Sequence, residues 1–184
     1  MKFLHRCAQR ALGLVDMWYY RRYKLQTLGP VLFLGRAQYH GPELRFDDGT
    51  VLRENDYIGR LHFNNGSIAA LGEGSMHRVG FRFAKLMRES LRKLAEAAHN
   101  DPSLADVRVF QGTTWIPSHG EVVGFVSTPL PKTWRTWLLS VHFRMLMWVF
   151  APANRIRSRE PAEPRLYWLT REALTRNIGK LKVG

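Results

Sequence analysis

Residues 43–63 read ELRFDDGTVLRENDYIGRLHF, and this stretch decides the fold class. Leu44 and Phe46 alternate with polar neighbours, Asp48-Gly49 supplies turn chemistry, and Val51 starts the return run. Asp-Gly between alternating runs is a strong hairpin signal, because both central positions of a tight hairpin turn need positive φ. Residues 57–63 (YIGRLHF) follow as another strand and end at the turn chemistry of Asn64-Asn65-Gly66. Upstream, residues 31–39 (VLFLGRAQY) read as a first strand, and His40-Gly41-Pro42 turns the chain.

Further out the period changes. Residues 5–25 are expected to be a helix carrying Leu12, Val15, Tyr19 and Tyr23 at helical spacing, ended by Gly29-Pro30. Residues 76–98 give the clearest helix: Gly80, Phe83, Met87, Leu91, Leu94 and Ala98 make one apolar stripe, and Asn100-Asp101-Pro102 stops it. Residues 107–116 and the run VVGFV (122–126) read as strands, Pro129-Leu130-Pro131 as a break, and 133–150 as a helix apolar almost all round. Residues 166–169 are a short strand, and Thr170 is a fitting N-cap for a last helix. The order predicts one α+β domain over residues 1–178, with a mostly antiparallel sheet of about five to six strands packed with three to four helices. Residues 151–164 (APANRIRSREPAEP) are expected to be an internal Pro-rich linker, and 179–184 a tail.

The 184-residue chain is 45% hydrophobic and 12% aromatic, so it has ample core material and is not a disordered type. Lys and Arg number 28 against 15 Asp and Glu, a formal net charge of +13. Such a charge repels itself in the compact state, so an anionic partner is the natural reading: membrane, nucleic acid or a phosphorylated small molecule. Cys7 is alone, which excludes an internal disulfide and a multi-thiolate zinc site. Arg6 and Arg10 interrupt the N-terminal apolar run, so it does not read as a secretory signal. No stretch has the roughly eighteen uninterrupted apolar residues of a spanning helix. The expected location is cytoplasmic, peripheral at the inner face of the cytoplasmic membrane. No G-x-S-x-G, Walker loop, H-E-x-x-H or Cys-His pair is present. His99, Asp101 and Asp106 make no recognisable metal spacing, and no metal or cofactor is expected.

Several segments together resemble the YkoP-like domain of bacterial proteins: Tyr39-His40-Gly41-Pro42-Glu43-Leu44, Asp48-Gly49-Thr50-Val51-Leu52, Leu61-His62-Phe63-Asn64-Asn65, Gly112-Thr113-Thr114 with Gly124-Phe125, and Tyr167-Trp168-Leu169-Thr170-Arg171-Glu172. The resemblance runs over roughly residues 15–178. It implies a setting in cell-envelope sugar and lipid chemistry, with envelope enzymes as neighbours, and carries over no catalytic residues. Gly124-Phe125 is also similar to the last strands of acetyltransferases, but the sequence carries no Gly-rich loop of the kind that holds a coenzyme pyrophosphate.

Four constellations stand out. On a strand, Arg60, His62 and Asn64 share one face, placing a cation, a titratable imidazole and an amide in a row, with Asn65 beside them. His62 could act as general base or anion ligand; the plain alternative is a turn with a hydrogen-bonded sheet histidine. Arg78, Arg82, Lys85 and Arg92 form a basic stripe fit for phosphate or an anionic headgroup, or a merely solvated helix face partly paired by Glu89 and Glu96. Trp18, Tyr19, Arg21 and Arg22, with Trp134 and Trp137, combine interfacial aromatics with cations, as membrane-surface segments do; the alternative makes 133–150 a core helix. Gly112-Thr113-Thr114 at a strand end could approach a ligand closely, with Thr113 as the binding residue.

These readings lead to an accessory or binding domain at a membrane surface, holding an anionic lipid or a lipid-linked sugar phosphate. The polar site would be Arg60, His62, Asn64 and Asn65, with Arg78, Arg82 and Lys85 on phosphate. One alternative is a small transferase or hydrolase on an envelope precursor, with His62 as base. Another is a nucleic-acid binder, less favoured because the basic residues are spread through the chain and match no known module.

Overall fold

The computed structural model describes residues 20–69, 71, 76–114, 124–130, 133–134, 136–138, 140–141 and 164–177. Most of the expected first helix (with Trp18 and Tyr19), the second half of helix 133–150, and nearly all of the linker and tail lie outside these residues.

The chain is α+β. Six strands form one mixed sheet in the order β1-β2-β5-β6-β8-β7: β1 (Gln26–Leu28), β2 (Leu32–Gln38), β5 (Tyr57–Phe63), β6 (Val109–Thr114), β7 (Val126–Pro129) and β8 (Arg165–Thr170). A separate hairpin pairs β3 (Leu44–Arg45) with β4 (Val51–Leu52). Every neighbouring pair in the large sheet is antiparallel except β5 with β6. That parallel pair is joined through α1 (Asn65–Ala69) and the long helix α2 (Met76–Asn100), as a parallel connection requires. A last helix, α3 (Arg171–Asn177), follows β8.

The alternation of side chains divides the core into two. On one face Leu34, Leu61, Phe110 and Leu169 meet Leu91 and Leu94 of α2 and Leu174 of α3. On the other, Ile58, Val109 and Trp168 meet Tyr39 and Leu52, so the β3–β4 hairpin lies over that half of the sheet. Gly59 is a packing requirement: a Cβ there would stand 2.4 Å from the Phe110 ring. Among the described side chains of α2, Ser90 is the one fully buried polar residue; its Oγ accepts from the Val31 amide at 3.2 Å. Gly29, at φ 63°, turns the chain from β1 to β2 against Ser90, where a Cβ would come within 2.9 Å.

Four local expectations change. The first helix ends at about Arg22 rather than at Gly29-Pro30: Lys24 adopts a left-handed φ of 49° and the Leu25 amide bonds back to the Tyr20 carbonyl, which frees β1 to form. Asn64-Asn65-Gly66 opens α1 instead of making a tight turn, with Asn64 Oδ1 accepting from the Ser67 amide as N-cap. In the hairpin only Gly49 has positive φ (83°). The Gly49 amide bonds to the Phe46 carbonyl and the Phe46 amide to the Thr50 carbonyl, a three-residue loop with glycine at its left-handed position. Finally, β7 begins at Val126, after Gly124 has turned at φ 94°, and takes in Pro129 at its end, which an edge strand tolerates.

Candidate functional site

The register of the sheet sets up the polar face. Gly35 pairs with Arg60, Arg60 with Gln111, and Gln111 with Trp168, so these four make one row across the sheet. They share the face of Ile58 and Val109, because side chains alternate along a strand. The next row begins with Phe33 opposite His62 and resumes with Thr113 opposite Leu166. Between His62 and Thr113 the ladder has stopped. The last parallel pair is Leu61 with Gly112, while β5 continues beside β2 to Phe63 and β6 continues beside β8 to Thr114. Among the described residues the parallel pairing of β5 with β6 therefore ends shortly before the carboxyl ends of both strands. In open sheets this end of parallel strands is where ligands bind.

Arg60 is exposed, whereas His62, Gln111 and Thr113 are half-buried. Burial, and then the positive charge of Arg60, bring the His62 pKa down to about 4. The imidazole is thus neutral at pH 7, with one nitrogen donating and one accepting. A group with so low a pKa is a weak base, so the arrangement favours hydrogen-bonding recognition over general-base work at neutral pH.

On α2 the outward face carries Arg78, Arg82, Lys85, Glu89, Arg92, Lys93 and Glu96, all exposed. Among the described residues the ion pair on this helix is Lys93–Glu96, at 3.4 Å, and Glu89, between Lys85 and Arg92, forms none. Arg82 also donates to the Leu71 carbonyl at 3.3 Å. Phe81, which the sequence reading passed over, stands among these cations with 70% of its surface exposed.

A second exposed apolar face belongs to the helical segment opened by Thr133, whose Oγ1 accepts from the Thr136 amide at 3.3 Å. Trp134 and Trp137 are 68% and 65% exposed, joined by Leu138 and Val141. Positions 134, 137, 138 and 141 follow the i, i+3, i+4, i+7 spacing of one helix face.

The sequence-predicted residues thus fall into separate places. Arg60, His62 and Thr113 lie on one face near the end of the β5–β6 pairing, with Gln111 as a member the sequence reading missed; its alternation with Thr113 was the available signal. Arg78, Arg82 and Lys85 lie on the outer side of the helix that covers the opposite face. Asn64 is occupied as a helix cap, and the side chain of Asn65 lies outside the described residues. Arg21 and Arg22 are exposed, with Arg22 5.8 Å from the Tyr23 ring centroid. Among the described residues no three His, Cys, Asp or Glu side chains form a metal-holding group, and no helix is long and apolar enough to cross a membrane.

A protein-family model, that of the YkoP domain, matches residues 5–178. No curated protein and no solved structure matches the chain.

Proposed function

Since the chain belongs to the YkoP domain family, we propose that it is a membrane-surface accessory domain that binds an anionic lipid or a lipid-linked sugar phosphate. The exposed stripe Trp134, Trp137, Leu138 and Val141 carries this reading. Two tryptophans and two aliphatics on one helix face suit the boundary between headgroups and acyl chains. The basic face of α2 supports it, since each cation near an anionic surface adds about 1 kcal/mol, and Phe81 offers an apolar foot among those cations. An overall charge of +13 acts in the same direction.

Flotation with neutral and anionic liposomes, at low and at physiological salt, tests the proposal. Binding to anionic vesicles that persists at physiological salt supports it, as does its loss when Arg78, Arg82 and Lys85 are reversed to Glu. Equal flotation of that variant and the parent, or none by the parent, removes it.

A further inference from the structure

Taking the basic face of α2 as the anion-binding surface of the preceding reading, we propose that it holds a phosphate monoester of a polyhydroxylated alcohol, the chemistry of a sugar phosphate or a phosphorylated inositol headgroup. Its place is a cleft of about 350 Å³ on the outward side of the helix, lined among the described residues by Lys85, Arg88, Glu89, Arg92, Lys93 and Glu96.

Helical spacing brings these side chains together. The positions fall at i, i+3, i+4, i+7, i+8 and i+11, so they line one side of about three turns, roughly 16 Å of helix. A cleft of about 350 Å³ lies at the small end of small-molecule sites, and its length exceeds what a bare phosphate occupies. A part of the ligand other than phosphate must lie along it.

Charge narrows the class. The four cations of the cleft outnumber its two carboxylates by two. Lys93 and Glu96 satisfy each other at 3.4 Å, which leaves Lys85, Arg88 and Arg92 around Glu89. A phosphate monoester carries about −1.5 to −2 charges at pH 7 and balances this surplus; a diester, with a single ionisable oxygen, leaves much of it. Arg88 is half-buried, and among the described residues its guanidinium has no ion pair or hydrogen bond. A cation partly withdrawn from water gains most from an anion, and its planar fork takes two phosphate oxygens at once. Glu89 sets the rest of the ligand. An ionised carboxylate only accepts hydrogen bonds, so beside a phosphate it needs a donor. Hydroxyls supply one without altering the charge balance, whereas an ammonium group would undo part of it.

Isothermal titration of the full chain at low salt with glucose 1-phosphate tests this, alongside inorganic phosphate alone and glucose alone. Glucose 1-phosphate should bind at least about tenfold more tightly than inorganic phosphate, and glucose should not bind. Arg88→Gln should weaken glucose 1-phosphate by a similar factor; should that variant melt early, Arg92→Gln at an exposed position serves instead. Glu89→Ala should remove the preference over inorganic phosphate while phosphate itself binds as tightly as before or more so. The proposal is overturned by absence of glucose 1-phosphate binding, by inorganic phosphate binding as tightly, or by folded variants at these positions that bind as the parent does. Neutral vesicles carrying phosphatidylinositol 4-phosphate tell the sources apart: flotation competed away by glucose 1-phosphate puts the monoester on a lipid, and titration without flotation puts it in solution. Failure to float with plain anionic vesicles removes the membrane reading and leaves this one standing, because the titration uses no membrane.

Discussion

Thr170 hydrogen-bonds Asp48 across 122 residues of chain, its hydroxyl donating to the carboxylate. The same oxygen accepts the Ala173 amide at 3.0 Å, so one side chain caps α3 and fastens the hairpin loop to the sheet. Thr170→Val keeps the shape and removes both bonds. It should cost about 1–2 kcal/mol in urea unfolding, and a variant as stable as the parent would deny the hydroxyl this double role.

Burial alone would raise the Asp48 pKa, but hydrogen bonds from Thr170 and Thr50 and the charge of Arg176 outweigh it and lower the carboxyl below its ordinary value. The stability this confers is present above the ordinary aspartate range and is lost as pH falls through the folded-state pKa. Asp48→Asn should therefore lower the melting temperature at pH 7 and narrow the gap to the parent in strong acid.

His62 acts at a higher pH. Its pKa falls from 6.5 to about 4 on folding, so between those values the unfolded chain takes up a proton that the folded chain refuses. Stability should be complete above about pH 6.5 and decline toward pH 4, by a total of about 3 kcal/mol. His62→Gln should flatten this slope in melting curves taken across the window; an unchanged slope would assign it to other groups.

Gly59→Ala places a methyl against the Phe110 ring. A loss of about 1–3 kcal/mol is expected from this overpacking, measurable by denaturant unfolding, while Gly112→Ala, with its 3.6 Å clearance, should be nearly neutral in stability.

Trp134→Ser with Trp137→Ser should leave stability within about 0.5 kcal/mol, as befits exposed positions, and should abolish flotation with anionic vesicles. A large fall in melting temperature would make these residues part of a packed interior instead.

Much of the fold was legible in the sequence. Alternation placed β2 and β5 within a residue, the Leu91–Leu94 stripe placed α2, and the common face of Arg60 and His62 followed from strand parity alone. What stayed hidden depended on partners distant in sequence. β1 is three residues long and follows a lysine, not a glycine, in the left-handed conformation. β7 falls on VSTP because β8 supplies the hydrogen bonds there, although VVGFV is the more apolar run. Nothing local states which face α2 covers, so Arg78 and His62 could be read as one cluster. Where the β5–β6 pairing ends depends on both strands together, and no residue type announces it.

Ser90 has a consequence of its own. A helix seated on a sheet by aliphatic contacts alone could settle in alternative positions one turn apart, since ridges repeat every three or four residues. The hydroxyl of Ser90 meets the Val31 amide at a single setting, and Gly29 presses the β1–β2 turn against the same spot. This pair works as a locating pin: it indexes α2 lengthwise and so fixes how far Arg78 and Arg82 extend past the end of β5. The aim of the basic face is therefore set from the interior, by a residue that touches no ligand.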